Sequence, residues 1–392
     1  MKLGFFLRRK VICIENIIRR LSNLLDYFIW LLFSFYKFSP AKKKIKKVLV
    51  VDISALGDSL NTFCVIKKLK ENYPVIDFYF LCGENCRGLE KYSDINVIFY
   101  KKDEKIITLL KEFNFDITIV IHSGLVNYKD LSSFENTIGS EIEGISDFCK
   151  KFFLKKRIFP FYSHKIRERF RIFELSGFKF KDYKLSLPYS PYHKKEAEAL
   201  MKNLRISRKM KVIFLNPSAG TSLKARKEGK MPSHDWPLEN FSKLADLLSE
   251  EPELKILITG TSEDKTLAEE IINKARNKKK IESICGKISF FGLGELMREF
   301  KDNGCLVSID TGTVHLGTAV NIPVVDLMGP YDPKLYCAWN PSKSLEYSKA
   351  ITIFHKEICS KCRKYYCPEK DNICMKAIDV NEVYELVKSM LK

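Results

Sequence analysis

The stretch SIDTGTVHLGTAVNIPVVDLMGP (308–330) decides how this chain is read. An apolar run from Cys305 to Ile309 is broken by Asp310-Thr311-Gly312-Thr313. Val314, Leu316, Ala319 and Val320 then mark a short helix, stopped by Asn321 and Pro323, and a second apolar run covers Val324 to Met328. The pattern is strand, tight polar turn, helix, strand. Such a turn aims backbone N–H groups and a helix N-terminus at a phosphate, although it also occurs where nothing binds. His315 alone reads as a structural histidine, but one helical turn after Thr311 it reaches the same side.

The same unit opens the first half of the chain. KVLVVDI (47–53) is a β-branched run of the kind that forms a buried parallel strand. SALGDSLNTF interrupts it, and a helix follows to about Tyr73, ended by Pro74. DFYFLC (77–82), VIFY (97–100) and DITIVI (116–121) read as strands, with a helical KIITLLKEF (105–113) before the last. From Lys129 to about Ser190 the pattern is less regular, with LSLPYSP (185–191) as a linker. The rhythm restarts with a strand and loop at 211–220, a helix at 237–252, a strand at 254–260, and helices at 263–276 and 292–300.

Alternating strands and helices build parallel βαβ sheets, and 392 residues exceed one ordinary core. The expectation is therefore two α/β domains in tandem, 47–190 and 191–345. They are preceded by a basic and apolar segment (1–46) and followed by a Cys-rich segment with a C-terminal helix (346–392).

Ligands of open α/β sheets sit at the carboxyl ends of strands, and every polar loop singled out here follows a strand. In the first, Ser54 to Ser59, Asp58 sits near a helix start, where it suits a general base or, more commonly, a helix cap. The small-residue loop Asn216-Pro217-Ser218-Ala219-Gly220-Thr221 can bring N–H and hydroxyl groups close to an anion. Behind it SLKARKEGK supplies Lys224, Arg226, Lys227 and Lys230. Gly260-Thr261-Ser262 and Cys285-Gly286-Lys287 are weaker cases of the same type. Neither a dinucleotide GxGxxG nor a P-loop is present, for want of the glycines.

Composition narrows the partners. The chain is 45% hydrophobic and 29% charged, as a globular protein is, with a formal charge of +19. That excess favours anionic partners, but it is scattered in Lys-rich pieces, and no nucleic-acid module is recognisable. LLDYFIWLLFSFYKF (24–38) is shorter than the ~20 residues of a spanning helix and contains Asp26. With Arg8, Arg9, Lys10, Arg19 and Arg20 beside it, it suits an interfacial helix on an anionic membrane or a helix packed on the protein's own surface.

Three segments together resemble glycosyltransferase family 9, the ADP-heptose:lipopolysaccharide heptosyltransferases. They are KVLVVDISALGDSLNTFCVIKKLKENYP (47–74), FLNPSAG (214–220) with DWPLENFSKLADLL (235–248), and VSIDTGTVHLGTAVNIPVVDLMGPYDP (307–333). The resemblance implies a GT-B fold, two Rossmann-like domains facing a central cleft, with the acceptor domain first and the nucleotide-sugar donor domain second. It implies inverting, metal-independent transfer of heptose from ADP-heptose to a lipopolysaccharide core or other lipid-linked glycan. Asp58 matches the family's general base. Asp310 would hold sugar hydroxyls, and the Thr311 and Gly312 amides would receive the diphosphate, with His315 nearby. Asn216, Ser218, Gly220, Thr221, Lys224, Gly260, Thr261, Gly286 and Lys287 complete the expected donor site. Where the family has Lys or Arg before its Trp-Pro pair, this chain has His234-Asp235, so the phosphate-contacting cation is sought at Lys224, Arg226 or Lys230. Alternatives are a nucleotide-sugar 2-epimerase of the same fold and a non-catalytic sugar-phosphate-binding protein.

Twelve cysteines remain. Cys359, Cys362, Cys367 and Cys374, spaced C-x2-C-x4-C-x6-C, suit a structural zinc; a disulfide pair or clustered free thiols are the alternatives. The other eight are dispersed, as reduced thiols of a cytoplasmic protein are. Four thiolates leave no open position, so a metal there would be structural, and the family resemblance implies catalysis without a cofactor. The expected location is cytoplasmic, either free or peripheral on the inner face of the cytoplasmic membrane.

Overall fold

The computed structural model describes residues 45–391 apart from 93, 102–109, 123–136, 141–155, 159–163, 342–348, 356–357 and 359–363. The N-terminal segment through residue 44, most of the helix expected at 105–113, and Cys359 and Cys362 therefore lie outside the described residues.

Two six-stranded parallel sheets carry the structure. In the first, β1 (Lys47–Asp52) is flanked by β2 (Asp77–Gly83) and β4 (Ile117–His122). β3 (Asn96–Tyr100), β5 (Thr137–Ser140) and β6 (Lys156–Ile158) complete the order β3-β2-β1-β4-β5-β6. The second sheet runs β12-β11-β10-β7-β8-β9, from β7 (Lys211–Asn216), β8 (Leu254–Ile258), β9 (Ile281–Ser283), β10 (Gly304–Ile309), β11 (Val324–Leu327) and β12 (Ala350–Ile353). Numbered from its own first strand, each sheet has the Rossmann order 3-2-1-4-5-6. The sixth strand of the second sheet lies beyond the boundary expected at 345.

Central strands buried on both faces demand continuous apolar runs, and Val48 to Val51 and Val212 to Leu215 are fully buried. The helices are α1 (Leu56–Asn72), α2 (Lys165–Leu175), α3 (Pro191–Asn203), α4 (Gly220–Lys227), α5 (Leu238–Leu248), α6 (Lys265–Lys274), α7 (Phe290–Glu299), α8 (Gly312–Ala319), α9 (Pro333–Tyr336), α10 (Ile373–Lys376) and α11 (Val380–Met390). α8 ends as its sequence implies: Asn321, just past the helix, takes φ 62°, a left-handed conformation that Asn tolerates at a helix end. α4 carries Lys224, Arg226 and Lys227 of the basic stretch on a helix, and α2 lies in the 129–190 region of less regular pattern.

One apolar layer spans both sheets. Leu60 and Phe63 of α1 belong to the same buried cluster as Phe291 of α7 and Leu316 of α8. The two domains also touch backbone to backbone. A Cβ on Gly57 would sit 2.5 Å from Gly312 Cα, so only glycine lets the starts of α1 and α8 approach this closely. The chain returns at its end to the second domain: the Trp236 indole donates to Ile378 O at 3.0 Å, just before α11.

Candidate active site

The carboxyl ends of both sheets open onto one cavity of about 880 Å³, lined by the α1 loop and α2 on one side and by the β7, β8, β9, β10 and β11 loops on the other. That volume lies within the ~300–1,000 Å³ of small-molecule sites.

Asp58 lines the cavity from the third position of α1. It is not the helix cap: Ala55 holds that position, and its side chain makes no cap bond. The Asp58 carboxylate accepts instead from Arg169 Nη2 of α2, at 2.8 Å. Arg169 is buried, donates from Nε to Thr62 Oγ1 at 2.8 Å, and lies 3.6 Å from the fully buried Asp52. Burial alone would raise the Asp58 pKa, but Arg169, helped by His315 and Lys165, holds it below the ordinary value. Asp52 differs: burial outweighs Arg169, and its pKa is raised. One guanidinium thus keeps the cleft carboxylate ionised while bracing the buried one.

The opposing wall is the turn after β10. Thr311 caps α8, its Oγ1 accepting from the Thr313 amide at 3.1 Å and from Asn216 Nδ2 at 3.2 Å. The Asn216 amide also donates to Ser308 Oγ at 3.0 Å and accepts from Thr259 at 3.0 Å. Asn216 therefore ties three loops together from beneath, and its hydrogen bonds are spent within the protein. No hydrogen bond or ion pair to the Asp310 carboxyl occurs among the described residues. Its pKa stands well above the ordinary value through burial, then through Asp326 and Asp58. Burial lowers the His315 pKa against the pull of Asp58, and its Nδ1 is buried without a partner.

Ser218, Gly220, Thr221, Gly260, Thr261 and Gly286 also line the cavity. Thr261 forms a capping box with Asp264, so its hydroxyl is engaged. Gly286 has φ 68°, and a Cβ there would come within 2.9 Å of Ser262 Cα; no other residue fits without strain.

Two expected donor residues do not belong to this cavity. Lys224 lies exposed on α4, 4.6 Å above the Tyr365 ring, and Lys287 pairs with Glu282 at 3.4 Å. Lys230 likewise pairs with Glu228 at 2.6 Å, and Arg226 is ion-paired with Asp235 while reaching Ser218 Oγ at 3.4 Å. Lys224, Arg226, Lys227 and Lys230 each find an acidic or aromatic partner outside the cavity, and Arg226 also reaches Ser218 Oγ on its wall.

Other cavity residues carried no signal for a single-sequence reading. Lys165 falls in the stretch without clear periodicity, as does Arg169, which lies buried behind the cavity wall and holds Asp58. Asn61 is 1% exposed with both side-chain polar atoms unpartnered. His234, packed against Tyr331, has both ring nitrogens unpartnered and its pKa pushed down to about 4 by burial. Its position before Trp236-Pro237 was the one available hint. Among the described residues no group of three or more His, Cys, Asp or Glu is arranged to hold a metal.

Paired Rossmann-like domains with their strand ends converging on a shared cleft are the GT-B fold. A sequence profile for glycosyltransferase family 9 (heptosyltransferase) matches residues 151–372, more than half of the chain. The chain belongs to that family. It is 24% identical over 322 residues to lipooligosaccharide heptosyltransferase 2 of Campylobacter jejuni, covering 77% of this chain and 91% of that protein. Among solved structures, a family 9 glycosyltransferase from Veillonella parvula superposes with a TM-score of 0.70 at 18% identity, covering 90% and 98% of the two chains. The E. coli ADP-heptose heptosyltransferase II superposes at 0.66, also 18% identical, covering 88% and 98%.

Proposed function

We propose that the protein is an inverting heptosyltransferase that uses ADP-heptose and a lipopolysaccharide-type acceptor. The observation that carries this reading is an ionised Asp58 facing the Asp310-Thr311-Gly312 turn across one cleft. The acceptor hydroxyl attacks the anomeric carbon, its proton passes to Asp58, and the bond from that carbon to the diphosphate oxygen breaks, with the electron pair leaving on ADP. A base positioned in this way contributes ~10²–10⁴-fold. The starts of α4 and α8 direct backbone N–H groups at the leaving phosphates, and Asp310 accepts hydrogen bonds from the sugar.

The named relatives act on lipooligosaccharide or bind ADP-heptose, and this supports the choice of donor and acceptor. Transfer is preferred to epimerisation because Asp58 opens from the first domain, where an acceptor can enter opposite the donor turn. A thermal-shift panel of ADP-, UDP- and GDP-sugars tests the donor. Stabilisation by ADP-heptose above the other sugars is expected; preference for a UDP- or GDP-sugar contradicts the reading.

A further inference from the structure

A departing nucleoside diphosphate needs positive charge, and among the described residues no Lys or Arg of the second domain lines the cavity. Lys224 stacks on Tyr365, Lys230 holds Glu228, Arg226 holds Asp235 and Lys287 holds Glu282. Among the described residues lining the cavity, Lys165 is the one Lys or Arg. It comes from the other domain, at the start of α2.

Lys165 is well placed for such a role. Its Nζ lies 5.9 Å from the ring centroid of Tyr336, the last residue of α9 in the second domain, so the side chain reaches across the cleft. Its carboxylate partner is loose, with Glu168 Oε2 3.6 Å away. The lysine is only 17% exposed, which limits screening by water. Its field already reaches Asp58.

We infer that Lys165 supplies the cation that meets the diphosphate of the donor, so that leaving-group stabilisation requires both domains. The inference rests on the nucleotide-diphosphate donor proposed above. Domain closure would then complete the charge arrangement only when donor and acceptor sides are together. Backbone amides hold the phosphates in the ground state, and the lysine adds its charge where negative charge grows as the bond breaks.

The test compares wild type with Lys165→Met and Lys165→Arg, using calorimetric titration with ADP and with AMP alongside steady-state transfer. For Lys165→Met the expectation is about a 10²-fold loss of turnover, the scale of one lost transition-state charge contact. Its ADP affinity should fall about tenfold, with AMP affinity unchanged and the melting temperature kept. Lys165→Arg should restore most of both. A Lys165→Met protein that keeps the wild-type preference for ADP over AMP overturns the inference. So does a penalty confined to acceptor KM that disappears with a dephosphorylated acceptor, which would assign Lys165 to acceptor phosphate. A wild type without any ADP preference overturns the donor reading and this inference together.

Discussion

At the scale of single residues, the account turns on how Arg169 divides its charge. It pairs with Asp58 in the cleft at 2.8 Å and stands 3.6 Å from Asp52 beneath. A carboxylate with a depressed pKa is a modest base in thermodynamic terms, but it is ionised at neutral pH and needs no proton removed before the reaction. Arg169→Met removes the lowering influence and leaves burial to raise the Asp58 pKa. The acid limb of the pH–rate profile should therefore move to higher pH. An unshifted limb with lower turnover would show that Arg169 only holds shape.

At the scale of elements, two contacts set the cleft. The first is the glycine seam between α1 and α8. Gly57→Ala would place a methyl against Gly312 backbone that cannot move aside, forcing the helix starts apart. Overpacking of this kind costs about 1–3 kcal/mol, and because the seam borders the site, turnover should fall together with the melting temperature. Wild-type melting and turnover in that variant would mean the seam is looser than the structure shows.

The second contact is Asp326 on β11, buried beneath the donor turn, whose Oδ2 accepts from the Ala338 amide and the Thr352 hydroxyl, each at 3.0 Å. Burial, against those two hydrogen bonds, lifts its pKa from 3.8 to about 7. Between those values the folded protein keeps a proton that the unfolded chain has released, so stability falls as pH rises through the window. Asp310, also raised, acts in the same direction. Asp326→Asn should gain melting temperature relative to wild type as pH is taken from 4 to 8. A difference independent of pH would place the proton elsewhere.

These elements also show what a sequence read alone can and cannot supply. The donor turn was legible because its strand, cap, glycine and helix stop are contiguous, from Ile309 to Asn321. Asp58 was legible as a candidate, but its partner was not: Arg169 lies 111 positions away, in a helix whose flanks carry no clear period. The misplaced lysines have a similar cause. Sequence proximity put Lys224 beside the Ser218 loop, yet its helix directs the side chain to Tyr365 on the outer face. Spacing along a chain shows which groups are near a loop, and helix phase decides which of them enter the cleft.

At the scale of the whole molecule, the two domains divide the work. The first brings Asp58 with Arg169, and Lys165 beside them; the second brings the Asp310-Thr311-Gly312 turn and the amides of α4. They meet through a common apolar layer and the Gly57–Gly312 contact. On the proposed reading proton removal belongs to the first domain, while donor binding draws on the turn and amides of the second with Lys165 added from the first. The direct test is Asp58→Ala, followed by calorimetry with ADP and by transfer from ADP-heptose to a lipopolysaccharide core acceptor, with the product anomer assigned by NMR. The account predicts inverted product from wild type, and for the variant a turnover at least ~10²-fold lower with ADP affinity within about threefold. Retained configuration in the product, or undiminished turnover in Asp58→Ala, would contradict it.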